Sequence, residues 1–218
     1  MWTVRRVAPG EEARVGEVLA AGFAAKYRPA LGDDPALAAQ LAAVLPPGIH
    51  CYVGTRAGAI HGAGLLRFSG QLSYGMGETA AVWRRLRARQ SLGRALRSLV
   101  LLSLVGGEHE PDRDEAYISS LAVDPAWQGL GLGNALLDHL ERAARAAGKR
   151  RLTLHVVDTN AGAIRLYTRH GFRAQGRTRT YFTRRRWGYR ALLFMEKDLT
   201  ATPAPPPPAP EGQEAPAS

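Results

Sequence analysis

The spacing of hydrophobic residues predicts alternating strands and helices in the first third of the chain. Residues 3–7 alternate between polar and apolar positions as a strand does, and Val15, Val18, Leu19 and Phe23 then recur at helical spacing. Pro, Gly and short polar turns separate the segments that follow. The further elements predicted here are an alanine-rich helix at 35–45 and a β-hairpin of two strands at 49–55 and 59–68.

The segment 76–105 has a helical leucine pattern with an interruption. Leu92, Leu96 and Leu99 recur at helical spacing, but Gly93 breaks the pattern. Six arginines between 84 and 97 have no acidic residue near them in the sequence. We expect two short helices, inserted either as a lid over a binding site or as a packing addition.

The segment 117–157 has the pattern of a β-α-β unit. A strand at 117–123 is followed by a helix whose apolar face runs from Leu132 to Ala147, and then by a strand at 151–157. The second strand is apolar on both sides apart from Thr153 and His155, as in a parallel sheet that helices cover on both faces. The remaining predictions are a helix at 161–170 and closing strands at 172–182 and 191–199.

Composition indicates a folded domain with an anionic partner. The 218 residues are 45% hydrophobic and 22% charged, with a net charge of +10 and a pI of about 10.4. Lysine occurs at only three positions, so the charge is almost all arginine, which coding bias explains as easily as anion recognition. The single cysteine, Cys51, excludes an internal disulfide and a cysteine-based metal cluster, and no metal is expected.

The chain has no apolar stretch of signal-peptide length at its start and no run long enough to span a bilayer, so a cytoplasmic protein is expected. Residues 200–218 are rich in proline, alanine and glutamate and cannot bury enough apolar surface to fold. We therefore expect one domain at 1–199, which includes the helical insert at about 76–105, and a disordered tail at 200–218.

Three glycines at the head of the predicted helix at 132 need an explanation. Gly129, Gly131 and Gly133 each cost about 0.8–1 kcal/mol relative to alanine inside a helix. The first backbone N–H groups of a helix have no internal partner, and glycine lets a phosphate approach them closely. The dinucleotide pattern fails, because Asn134 stands where its third glycine would be, and no P-loop motif occurs.

Two motifs in register resemble those of the GNAT family of acyl-CoA N-acyltransferases. The first is Gln128-x-x-Gly131-x-Gly133, and the second is Asn160-x-x-Ala163-x-x-x-Tyr167-x-x-x-Gly171-Phe172. The resemblance is close over 117–175 and follows the element order from about 1 to 199. It implies an α/β GNAT fold, with a mixed central sheet and helices on both faces.

The resemblance also implies acetyl-CoA as co-substrate and a set of residues that bind it. The loop at 128–134, called the glycine turn below, would bind the pyrophosphate through backbone amides. The strand at 119–123 would pair with the pantetheine arm where it splays from the strand at 152–157. A backbone amide near Leu121 would polarise the thioester carbonyl. The residues implied are Leu121, Ala122, Val123, Gln128, Gly129, Leu130, Gly131, Leu132, Gly133, Asn134 and Asn160, of which Asn160 is also an ordinary helix N-cap.

Two side chains match catalytic positions of the family. Tyr167 stands where members keep a tyrosine that protonates the departing sulfur, and His155 stands where the protein N-terminal acetyltransferase branch often has a histidine or glutamate as base. The alternatives are purely structural roles, in which His155 is a core histidine whose hydrogen bonds are satisfied and Tyr167 only packs in the core.

The acceptor is left between two classes. The stretch Arg179-Thr-Tyr181-Phe182 resembles the peptide slot of that branch, except that Phe182 replaces a tyrosine. The resemblance thus implies direct ternary-complex transfer of an acetyl group to a primary amine, either of a protein or peptide or of a small molecule. A CoA-binding module without turnover is the alternative of another class. Neither a membrane nor nucleic acid is an expected partner, and a homodimer is an open alternative because dimers are common in the family.

Overall fold

The computed structural model describes residues 1–70, 76–105, 109–179 and 184–200. Seven strands are present there: β1 (Thr3–Arg6), β2 (His50–Arg56), β3 (Ala59–Phe68), β4 (Glu115–Val123), β5 (Arg151–Val157), β6 (Arg173–Arg179) and β7 (Ala191–Asp198). The helices are α1 (Glu12–Gly22), α2 (Ala24–Leu31), α3 (Pro35–Ala42), α4 (Met76–Arg89), α5 (Leu92–Val105), α6 (Leu132–Ala146), α7 (Ala161–Arg169) and α8 (Arg184–Trp187). A 3₁₀ turn, Pro125–Trp127, links β4 to the glycine turn.

The strands form one seven-stranded sheet in the order β1-β2-β3-β4-β5-β7-β6. β4 and β5 are parallel, and every other neighbouring pair is antiparallel. The mixed sheet and the β-α-β unit at 117–157 are therefore confirmed. The expectation that β5 lies within a parallel sheet is wrong, because one of its two neighbours, β7, runs antiparallel to it.

Most predicted elements are confirmed with shifted ends. The hairpin of β2 and β3 and the two helices of the insert are present, while the alanine-rich helix ends at Ala42. The helix α2 was missed because Pro29 lies inside it and weakens its helical pattern. The strand predicted at 172–182 is Arg173–Arg179, and residues 180–182 lie outside the described part of the chain.

Helix α6 packs on the sheet through glycines of the hairpin. A Cβ added at Gly54 would lie 2.3 Å from Leu132 Cδ1, and one at Gly62 would lie 2.9 Å from side-chain carbons of Leu132 and Leu136. The missing side chains therefore leave room for the leucines of α6 against the strands. This packing fixes where the first turn of α6, and with it the glycine turn, lies over the sheet.

The insert packs beside the N-terminal helices. Leu86 of α4 and Ala95 of α5 are fully buried in a core shared with α1, α2 and α3, and the Ser98 hydroxyl donates to the Ala30 carbonyl at 2.9 Å. Arg89, one of the six arginines of the insert, lies 3.6 Å from Asp34, an acidic residue far away in the sequence. Cys51 is buried in the same core. No described helix is long and apolar enough to cross a membrane.

Strand β4 carries one extra residue against β3. Leu66 pairs with Ile118 and Leu65 pairs with Ser120, so Ser119 has no counterpart on β3. Such a bulge increases the local twist and bends the strand. The ladder between β4 and β5 ends at the same place, with the pair Ile118 and Leu154, although both strands continue. The splay that the resemblance implied is thus present, and the bulge gives it a physical cause.

We predict that Gly16→Ala destabilises the protein by about 1–3 kcal/mol through overpacking between α1 and α3. The added Cβ would lie 2.3 Å from the Ala39 carbonyl oxygen and 2.9 Å from the Ala43 backbone nitrogen, and backbone atoms cannot rotate away. The measurement is the free energy of unfolding in urea.

Gly93→Ala in α5 is the matched control, because no atom lies within 4 Å of its added Cβ. Its free energy of unfolding should stay constant or rise by up to about 1 kcal/mol, since alanine is the better helix former. Equal stability of wild type and Gly16→Ala would contradict the close packing of α1 on α3.

Candidate active site

A cavity of about 900 Å³ occupies the gap between β4 and β5 and continues to the glycine turn. Its walls come mainly from β4, the turn, β5 and α7, with a few residues of α1, α2, β6, β7 and α8, and none of the described residues at 76–105 lines it. This favours the packing addition over the lid among the two interpretations of the insert. Eleven of the thirteen predicted site residues line the cavity: Leu121, Ala122, Val123, Gln128, Gly129, Gly131, Gly133, Asn134, His155, Asn160 and Tyr167.

The two exceptions are Leu130 and Leu132, whose side chains point elsewhere. Leu130 is 54% exposed, and its carbonyl accepts a hydrogen bond from the Trp2 indole N–H at 2.7 Å. Leu132 is buried in the packing of α6 on the hairpin. Only backbone groups of these two residues are available to a ligand in the cavity.

The glycine turn adopts a conformation that L-residues rarely take. Gly129 has φ +76° and Gly131 has φ +84°, and Gly131 is the N-cap of α6. No side chain caps this helix, so its first backbone N–H groups are left for an anion. Asp124 fixes the approach to the turn, since its carboxylate accepts from the Ala126 N–H and pairs with Arg14 of α1.

The polar side chains around the turn already have protein partners. Gln128 donates to the Val123 carbonyl at 3.1 Å, and the Asn160 side chain accepts from the Ala163 N–H at 3.1 Å as the N-cap of α7. The Asn134 amide oxygen lies 2.9 Å from His170 Nε2. These side chains shape the turn, while Arg165 and Arg169 of α7, both exposed and lining the cavity, add the positive charge that suits phosphates.

His155 lies on β5 one residue beyond the last pair of the β4–β5 ladder. Its Nδ1 is 3.2 Å from the Tyr117 hydroxyl of β4, and its ring lies beside Phe194 of β7. Burial lowers the pKa of His155 below that of an ordinary histidine, the charge of His109 lowers it further, and Glu115 opposes the shift. Burial also raises the pKa of Tyr117 to about 12, which keeps that hydroxyl protonated.

A buried polar cluster on the same face of the sheet lies next to His155 and Tyr117. Glu115 is 2% exposed and accepts hydrogen bonds from the Thr153 hydroxyl and the Asp112 N–H, while His109 Nε2 lies 2.6 Å from its carboxylate. The His109 ring packs on Tyr117 and on His155. Within the described ranges no group of three or more His, Cys, Asp or Glu residues is arranged to hold a metal ion.

Tyr167 approaches the cavity from the other face of the sheet. It packs in the core that contains Leu154 and Val156, which alternate with His155 along β5, and it is 7% exposed. Burial, with a smaller contribution from Tyr117, raises the pKa of Tyr167 to about 12. The structure therefore brings His155 and Tyr167 to one gap from opposite faces.

Sequence reasoning missed Tyr117, His109, Glu115, Arg165 and Arg169. The polar residues Glu115 and Tyr117 share one side of β4 by alternation, which was a usable signal once Thr153 and His155 were noticed on β5. The stretch after Arg179 that resembles a peptide slot lies at 180–182, outside the described residues.

Comparison with known proteins gives many likenesses, of which three are representative. The chain is 44% identical over 69 residues to the ribosomal protein bS18-alanine N-acetyltransferase of Escherichia coli, over 32% of this chain and 47% of that protein. It is 49% identical over 71 residues to the mycothiol acetyltransferase of Acidothermus cellulolyticus, over 33% of this chain and 21% of that protein. The chain thus spans at most about half the length of these curated relatives.

The third likeness is a solved structure of a GNAT family acetyltransferase from Elizabethkingia anophelis with acetyl-CoA bound. Its TM-score is 0.52 with 14% identity, over 90% of this chain and 97% of that one, which supports the fold alone. The model of the acetyltransferase (GNAT) family matches residues 26–172, which is well over half of the chain. The chain is therefore a member of the GNAT acetyltransferase family.

Proposed function

We propose that this protein is an N-acetyltransferase that moves an acetyl group from acetyl-CoA directly to a primary amine in a ternary complex. The observation that carries the proposal is one continuous cavity, which joins the glycine turn to His155 through the gap between β4 and β5. Such a cavity can hold the phosphates at one end and the thioester beside a base at the other.

The donor would lie along the free edge of β4. Backbone amides from Gly131 to Asn134 would bind the pyrophosphate at the N-terminus of α6, with Arg165 and Arg169 adding charge. Beyond Ile118 the edge of β4 that faces the gap has no ladder to β5. The backbone groups of 119–123 on that edge are therefore open to the pantetheine arm, apart from the Val123 carbonyl, which accepts from Gln128. The amide near Leu121 would then donate to the thioester oxygen as charge develops on it.

His155 would take the proton of the acceptor amine, directly or through one water molecule. For Nε2 to have a free lone pair, Nδ1 must carry the hydrogen and donate it to the Tyr117 oxygen 3.2 Å away. The neutral amine attacks the carbonyl carbon and the C–N bond forms. As the tetrahedral intermediate collapses the C–S bond breaks, and the second proton that the nitrogen loses is taken up by the departing thiolate, so the products are the amide, the CoA thiol and the proton held by His155. Tyr117 is thus proposed to orient the base.

Tyr167 would donate to the sulfur as negative charge develops on it. Its pKa of about 12 lies above the value of about 8.5 for an ordinary thiol, so a completed proton transfer to a free thiolate is uphill. We therefore assign most of its effect to a charge-assisted hydrogen bond in the transition state. The raised pKa also guarantees that the hydroxyl holds its proton at every physiological pH.

The acid–base arithmetic favours an α-amine as acceptor. An α-ammonium has an ordinary pKa of about 7.7–8.0, whereas a lysine ε-ammonium has one of about 10.4. A histidine whose pKa is lowered by burial is a weak base. Taking a proton from a lysine ε-ammonium would cost it about 2.5 pKa units, or about 3.4 kcal/mol, more than taking one from an α-ammonium. The bS18-alanine relative supports a peptide or protein α-amine, while the mycothiol relative supports a small-molecule acceptor as the second candidate.

The experiment is acetyl-CoA-dependent thiol release against three matched acceptor panels. They are short peptides with a free α-amine, the same peptides with a blocked N-terminus and an internal lysine, and small amines. We expect turnover with the first panel. Turnover with small amines alone would select the second candidate, and tight CoA binding without turnover in any panel would favour a binding module.

We predict that His155→Gln lowers kcat/KM about 100-fold or more and removes the acid limb of its pH profile. In wild type that limb lies below pH 6.5, because the base must be neutral and burial lowers its pKa.

Tyr167→Phe should lower kcat about 10- to 100-fold without weakening CoA binding. The measurements are steady-state kinetics from pH 5 to 9 and CoA titration.

His50→Gln is the matched control, since His50 is half-buried on β2 against Phe68 and does not line the cavity. Its pH profile should match that of wild type. Unchanged turnover in both His155→Gln and Tyr167→Phe would remove the roles assigned to these residues.

The cytoplasmic location and the homodimer stay predictions of the sequence.

A further inference from the structure

Trp2 is attached to the glycine turn from a part of the sheet far away in sequence. Its indole N–H donates to the Leu130 carbonyl at 2.7 Å across 128 residues. Leu130 lies between Gly129 and Gly131, the two glycines of the turn that have positive φ. Trp2 itself does not line the cavity. Whatever Trp2 does for a ligand it therefore does through the turn.

Trp2 belongs to an aromatic box that also contains His61 of β3 and Trp127 of the 3₁₀ turn. The ring centroids of Trp2 and Trp127 are 5.8 Å apart, and those of His61 and Trp127 are 4.0 Å apart. The Arg56 guanidinium lies 5.7 Å from the Trp2 ring and 5.9 Å from the Trp127 ring, within cation–π range. The box holds the indole in place, so its N–H has a fixed direction.

The direction of the Leu130 carbonyl determines the direction of one amide of the turn. In a trans peptide the C=O of one residue and the N–H of the next lie in one plane and point in opposite directions. When Trp2 holds the Leu130 oxygen, the Gly131 N–H points away from Trp2. Gly131 lines the cavity whereas the Leu130 side chain does not, so this opposite side is the ligand side.

Without such a hydrogen bond the peptide plane between Leu130 and Gly131 would be free to turn over. Glycine accepts positive and negative φ almost equally, so the residues on either side of Leu130 impose little preference. A turned plane would present a carbonyl oxygen to an anion instead of an amide. The conformation of this turn therefore needs a constraint from outside it.

We propose that Trp2 is a positioning residue that aims the Gly131 amide at the pyrophosphate of the acyl-CoA donor. The proposal rests on the donor site described under Proposed function. It predicts that Trp2 contributes to affinity for the phosphate-bearing part of the donor and leaves the chemistry at His155 unchanged. A merely structural role for the indole would lower stability and affect all ligands alike.

The test is CoA binding by isothermal titration calorimetry, with two variants that remove the N–H. Trp2→Phe keeps a ring in the box, and incorporation of benzothienylalanine at position 2 keeps the two-ring shape and replaces the N–H with sulfur. We expect Kd for CoA to rise about three- to tenfold in both, which is the loss of one ordinary hydrogen bond. Thermal unfolding is measured in parallel, and Trp83→Phe on α4 is the control.

A second ligand separates positioning from general damage. Pantetheine lacks the pyrophosphate, so its Kd, measured by NMR titration, should be equal in wild type and in the benzothienylalanine variant. Unchanged CoA affinity in that variant, or an equal loss for CoA and pantetheine, would overturn the proposal. A wild type that binds no CoA would instead contradict the donor site itself.

Discussion

The extra residue in β4, Ser119, is the feature on which the site depends. It bends β4 at the point where its ladder to β5 ends, so that two neighbouring parallel strands separate within the sheet. β3 and β7 hold the outer edges of the two strands through Val123 and Val157, which prevents the gap from closing or the strands from fraying. An open backbone edge is thereby kept inside a fold that otherwise pairs its strands.

The gap gives access from both faces of the sheet, and the two proposed catalytic side chains use opposite faces. His155 shares its face with Tyr117 and the buried Glu115, where a proton can be accepted from an amine. Tyr167 lies in the apolar core on the other face, where α6 and α7 cover the sheet and the phosphates would lie. Donor and acceptor therefore meet at the gap without competing for space, which suits direct transfer.

The parts of the site that lie within one segment could be predicted from the sequence. The cost of the glycines at 129–133 indicated an anion site, the resemblance to the GNAT motifs implied Asn160, Tyr167 and His155, and the β-α-β unit that positions them follows from hydrophobic periodicity. Other features depend on strand register or on contacts far away in sequence. The bulge at Ser119, the contact of Tyr117 with His155 and the hydrogen bond from Trp2 are properties of pairing, which local patterns do not encode.

The most direct test of this account is amide hydrogen exchange of the full chain with and without CoA, followed by peptide mass spectrometry. Binding in the gap predicts slower exchange in two segments, 119–123 on β4 and 129–134 at the head of α6, because the ligand would bond their open amides. Segment 92–103 of α5, whose described residues do not line the cavity, should exchange equally in both samples. Saturating CoA with no slowing at 119–123 would contradict the central claim that the splayed strand binds the donor.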